Sequence, residues 1–132
     1  MRLVIFGVAF AAAATVPFAC NPFAPDQSVI LGVTRLEAPA TIPAGSPLTV
    51  VVTVETGGCR TFDHFSVERQ ASVASIVAWG RDAAQGRNDV ACPADIRLEP
   101  HSYQFDPPFQ NSFMILVYRE GLDPLTATVQ VK

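Results

Sequence analysis

At 132 residues with a formal net charge of −3 the chain is the size of one domain, and its nine Lys and Arg are scattered singly, which excludes the clustered cations that nucleic-acid binding needs. Apolar residues make up 49% and charged residues 16%, a balance that excludes a disordered chain and suits one buried core. Eleven prolines and eight glycines interrupt the sequence too often for long helices.

The N-terminus opens with Met1-Arg2, continues as an apolar run from Leu3 to Ala14, and ends in Thr-Val-Pro-Phe-Ala-Cys. A positive start, a short apolar stretch without amphipathic period and small residues after it form the three-part pattern of an export signal over 1–19, too short for an ordinary membrane span. Pro17-Phe18-Ala19-Cys20 resembles the lipobox of bacterial lipoproteins, with proline where an aliphatic residue is usual. That resemblance implies acylation of Cys20, which would become the mature N-terminus and hold the chain to a membrane through its lipid. Cleavage after Ala14, where Ala12-Ala13-Ala14 meets the small-x-small rule, is the competing expectation and would leave Cys20 as a free thiol. Residues 20–27 carry two prolines among polar neighbours and read as a linker with a reach of roughly 20 Å.

From residue 28 onward the sequence falls into short β-rich runs separated by turn residues, the pattern of an all-β sandwich. Val29 to Glu37 forms the first run, interrupted at Gly32, with a bulge expected where the alternation shifts between Val33 and Leu36. Prolines 39, 43 and 47 make 38–47 a connection. In Leu48 to Glu55 the alternation is strict, with Leu48, Val50, Val52 and Val54 on one face. Thr56-Gly57-Gly58 turns the chain into Arg60 to Arg69, whose Phe65 and Val67 are expected inward.

Ser72 to Gly80 is read as a strand on its β-branched Val73, Ile76 and Val77, with Ala74, Ile76 and Ala78 on one face and Val73, Val77 and Trp79 on the other. Arg81 to Ala91 is polar and reads as a loop. Ile96 to Phe105 follows, broken at Pro100 and therefore expected at an edge. After Asp106-Pro107-Pro108 comes Ser112 to Arg119, apolar enough for the middle of a sheet. Leu125 to Val131 closes the domain, with Leu125, Ala127, Val129 and Val131 inward. About seven strands are expected.

If successive strands run antiparallel, Cys59 and Cys92 fall at the same end of the sandwich. In an exported chain oxidation is the default, so a Cys59–Cys92 disulfide is expected. In the loop-entropy model it would constrain the unfolded chain by roughly 3–4 kcal/mol.

About seven strands over 28–132, the last strictly alternating, are similar to an immunoglobulin-like antiparallel β-sandwich of the kind found in bacterial surface lipoproteins. Here the cysteines sit at strand starts instead of flanking a core Trp. The resemblance implies a scaffold for adhesion, assembly or inhibition in the cell envelope.

No catalytic constellation stands out, so neither enzymatic activity nor a cofactor is expected. Asp63, His64 and Ser66 lie on one strand, where neighbouring side chains point to opposite faces and cannot form a triad. His64 and His101 are the candidate ligands of an alternative reading as a small metal-binding protein. Asp82, Asn88 and Asp89 lack the ordered spacing of a calcium loop. The long loop Arg81 to Ala91 is the expected contact surface, with Arg60, Arg81 and Arg87 as candidate binding residues for an acidic partner, another envelope protein among them. An alternative within binding is a proteinase inhibitor that presents the end loops.

These expectations meet in one measurement. Intact mass of the protein from its native membranes should match an acylated chain beginning at Cys20 and rise by about two daltons on reduction; an uncleaved chain with three free thiols contradicts export.

Overall fold

The computed structural model describes residues 27–132. The expectations for the signal at 1–19, for Cys20 and for all of the linker except Gln27 lie outside the described residues. Nine strands occur among the latter: β1 (Gln27–Ile30), β2 (Val33–Glu37), β3 (Thr41–Ile42), β4 (Leu48–Thr56), β5 (Arg60–Arg69), β6 (Val73–Asp82), β7 (Arg97–Phe105), β8 (Phe113–Val117) and β9 (Leu125–Val131). They form two packed sheets, an all-β sandwich. β5 covers one edge of β6 along its whole length. β1 and β8 divide the other edge, β1 against Trp79 to Asp82 and β8 against Val73 to Ile76, and β9 and β3 follow β8. The smaller sheet has the order β2-β4-β7.

Three features depart from the local reading. The run Val29 to Glu37 is two strands in different sheets, joined at Leu31-Gly32: Leu31 N–H donates to Ala78 of the larger sheet, and Gly32 carbonyl accepts from Glu55 of the smaller one. The expected irregularity is nevertheless present, because the β2–β4 register shifts between Val33 and Arg35. β6 continues through Asp82, so Arg81 belongs to a strand and the loop begins after it. Finally, β6 pairs with β8, and β3 with β9, in parallel, so the sandwich is mixed.

The core is the meeting of four inner faces. Leu48, Val50, Val52 and Val54 of β4 are fully buried, as the period-two pattern requires, against Ala74, Ile76 and Ala78 of β6, Phe113, Ile115 and Val117 of β8, and Val129 of β9. Small residues on β6 let the sheets approach. At Gly80, a Cβ would come within 2.6 Å of Leu31 Cδ2, so glycine there makes room for the side chain at the sheet-to-sheet crossover. β8 lies between β6 and β9, in the middle of its sheet, and β7 is an edge strand, both as expected.

At the end of the sandwich formed by 38–47, 70–72 and 106–112, Phe113 closes the core, its ring 5.0 Å from Phe109 and 5.8 Å from Phe105. The Arg69 guanidinium covers Phe109 and Phe113, at 4.7 and 5.5 Å from the ring centroids, while donating to the carbonyls of Asp106 and Pro108. The cation thereby satisfies a proline-rich turn and caps an aromatic stack. Phe113→Ala should lower the unfolding free energy by about 3–5 kcal/mol, read from the urea midpoint; a loss below about 1 kcal/mol would mean that neighbouring side chains collapse into the space.

Candidate functional site

The opposite end is built around the Cys59–Cys92 disulfide, with Cα atoms 5.1 Å apart. β4 and β5 are joined by a tight turn in which Gly57 and Arg60 exchange two backbone hydrogen bonds of 3.0 Å. Gly57 has φ of +105°, a region that disfavours residues with a Cβ. Its missing side chain matters a second time, because a Cβ would run into the Asp95 carbonyl and come within 3.2 Å of Ile96 Cα. The 92–96 segment thus lies directly on the turn. Besides the disulfide, the Gly58 N–H donates to Asp95 Oδ1 at 2.9 Å, and Asp95 Oδ2 sits 3.0 Å from Arg97 Nε. Two ties, one covalent and one through Asp95, hold the far end of the loop.

Its near end is held by Asp82. One oxygen accepts from the Ala84 N–H at 2.9 Å and the other from Arg60 Nε at 3.1 Å, while the Ala83 N–H donates to the Cys59 carbonyl. Those contacts keep the Asp82 carboxyl below the usual carboxylate range, the Ala84 N–H contributing most. Asp95 is held below that range chiefly by the Gly58 N–H, and Asp89 chiefly by Arg87. Every acid that anchors this loop is therefore a firm anion at neutral pH.

Each of the three candidate binding arginines is engaged by an aspartate. Arg60 meets Asp82; Arg87 meets Asp89 with two contacts, at 3.2 and 3.3 Å. Arg81 projects from the outer face of β6 and reaches Asp63 at 3.1 Å. Asp63 also accepts from His64 Nδ1 at 2.8 Å, and these two hydrogen bonds, His64 first, depress its pKa. Arg60 and Arg87 belong to the disulfide end, whereas Arg81 belongs to the sheet face beside it.

The histidines are not brought together. His64 is exposed opposite Trp79 on the outer face of the larger sheet, and Trp79 Nε1 donates to Ser66 Oγ at 2.9 Å on that same face. His101 lies on the inner face of β7 opposite Val52, its ring stacked on Phe62 at 3.8 Å. His101 Nε2 is buried without a hydrogen bond among the described residues, 3.5 Å from Glu99 Oε2, while Glu99 Oε1 accepts from the Thr56 hydroxyl at 2.7 Å. That hydroxyl is the main reason the Glu99 carboxyl lies below its ordinary pKa. Among the described residues no group of three or more His, Cys, Asp or Glu is arranged to hold a metal ion.

Residues that the linear pattern did not single out complete the end. Three adjoining clefts of about 490, 280 and 200 Å³ all include Arg60 in their walls. Glu55 lines the first and third, and Glu120 the first and second. Leu122 borders the largest and Ile96 the smallest; they are 65% and 79% exposed. Nothing in the sequence marks Ile96 as exposed, because its exposure follows from β7 beginning only at Arg97. The chain matches no family model, and comparison with curated proteins and with solved structures finds no significant match.

The close seat of the 92–96 segment on Gly57 can be tested against Gly45, which also has positive φ (+80°) but open space around it. Gly57→Ala should cost about 2–4 kcal/mol and Gly45→Ala about 1 kcal/mol in urea unfolding; equal losses would show that the segment yields freely.

Proposed function

We propose that this chain is an exported, lipid-anchored lipoprotein with an immunoglobulin-like sandwich, and that it binds another protein of the cell envelope through the loops at its disulfide end. The observation that carries the reading is the exposure of Ile96 and Leu122 on either side of the clefts that share Arg60 and Glu55. Aliphatic side chains left in water on tied-down loops contribute nothing to the domain's own core and suit burial against a partner. The ties from Cys92, Asp95 and Asp82 reduce the conformational entropy that the 83–96 loop would lose on binding, and the Arg119 bond to the Asp123 carbonyl does so for the turn that carries Leu122.

The disulfide accords with an oxidising compartment outside the cytoplasm. Export and anchoring rest on the sequence of residues 1–20. One free edge of each sheet is blunted, β7 by Pro100 and β5 by its register shift between Phe62 and His64, which disfavours strand addition at those two strands.

A photo-crosslinking residue placed at position 96 or 122 in cells should capture one envelope protein, whereas the same residue at position 45, at the other end, should not. The double variant Ile96→Asp with Leu122→Asp should keep the fold and weaken capture at least about tenfold. Equal capture from position 45, or capture indifferent to the double variant, contradicts the reading.

A further inference from the structure

Three of the four arginines at the disulfide end are ion-paired: Arg60 with Asp82, Arg87 with Asp89 and Arg97 with Asp95. Arg119 Nε donates to the neutral Asp123 carbonyl at 2.7 Å across its own turn, which leaves its charge on the wall of the 490 Å³ cleft. The carboxylates of Glu55 and Glu120 have no such partner; neither carboxylate makes a hydrogen bond or an ion pair with another described residue. Both line the 490 Å³ cleft, Glu55 extending into the cleft beside Ile96 and Glu120 into the one beside Ser28 and Gln85.

Glu55 is placed by the fold as well as exposed by it. Its backbone N–H donates to the Gly32 carbonyl at 2.8 Å, and its side chain lies over Gly32 so closely that a Cβ there would meet Glu55 Oε2 at 2.8 Å. The crossover between the two sheets thus supports a carboxylate at the centre of the groove, between exposed aliphatics at 96 and 122. Once internal pairs are discounted, the cleft walls keep Glu55 and Glu120 against Arg119, a net negative charge.

We infer that the partner bound at this end is a basic segment of polypeptide, in which Lys or Arg side chains reach Glu55 and Glu120 while apolar side chains meet Ile96 and Leu122. The inference rests on the proposed contact surface and reverses the sign expected from Arg60, Arg81 and Arg87. An acidic partner would have to displace Asp82, Asp63 or Asp89 from those arginines, would find only Arg119 without a carboxylate partner and would face two unpaired carboxylates, whereas a basic one supplies the counter-charges for the carboxylates that remain in excess. The net charge of −3 on the chain adds a long-range attraction of the same sign.

The test uses the protein purified from its membranes in neutral detergent and two fluorescent synthetic peptides, one alternating lysine with leucine and one alternating glutamate with leucine. The lysine peptide should bind the more tightly, and Glu55→Gln with Glu120→Gln should weaken it about tenfold with an unchanged urea midpoint. Glu68→Gln, on β5 away from the groove, should leave binding unaltered. Because detergent binds peptide equally with every variant, only differences between variants count. Lysine-peptide binding indifferent to the glutamate double variant overturns the inference. If the glutamate peptide binds better and loses affinity in the Ile96→Asp, Leu122→Asp protein, the contact surface stands and the sign of the partner is wrong. If neither peptide responds to that aliphatic double variant, the contact surface itself is wrong.

Discussion

The inner face of β4 is the constraint on which the rest of the molecule depends. Four aliphatic side chains at strict alternation are removed entirely from water, and each fully buried aliphatic of this size contributes on the order of 1.5–3 kcal/mol relative to exposure. Such a face needs a second sheet to cover it. β6 and β8 supply the cover: β6 presents Ala74, Ile76, Ala78 and Gly80 inward, and β8 adds the larger Phe113, Ile115 and Val117. The crossover at Leu31-Gly32 follows from the same packing: β1 belongs to one sheet and β2 to the other, and Leu31 fills the space above Gly80 as the chain passes between them.

The side of the sandwich between β5 and β7 has no backbone pairing across it. It is closed by rings instead, with Phe62 stacked on His101 and Phe65 edge-on to Tyr103 at 6.3 Å. This explains why an edge strand directs a histidine and a glutamate inward. The imidazole serves as a flat surface for Phe62, and Glu99 is satisfied by Thr56, the buried polar residue at the end of β4. The aromatic closure and the disulfide act at neighbouring parts of the same region, since β5 carries Phe62 three residues after Cys59.

The disulfide end combines rigid placement with exposed chemistry. Covalent and carboxylate ties fix both ends of the 83–96 loop, and of the arginines that made the loop look cationic Arg60 is paired at its near end, Arg87 within it and Arg81 with Asp63 on the sheet face. The groups left without an internal ion pair on the cleft walls are Glu55, Glu120 and Arg119, beside two exposed aliphatic side chains. Loops that meet at the end of a β-sandwich commonly carry binding for this reason: the sheets set their positions, and the residues between are free to vary.

Local periodicity and turn residues determined much of this protein by themselves. The inward residues of β4 and the alternation of β6 and β9, the central place of β8, the edge place of β7 and the position of Cys59 and Cys92 at one end all follow from alternation, proline positions and chain direction. These properties are legible because the side-chain period of a strand and the missing N–H of proline act within a few residues. Only the tertiary structure decided that Val29 to Glu37 divides between two sheets, that β6 and β8 run parallel, and that Arg60 and Arg81 meet aspartates 22 and 18 residues away. Which carboxylates remain unpaired was hidden for the same reason. Pairing of strands and of charges depends on which segments the core brings side by side, and that is a property of the whole packed chain.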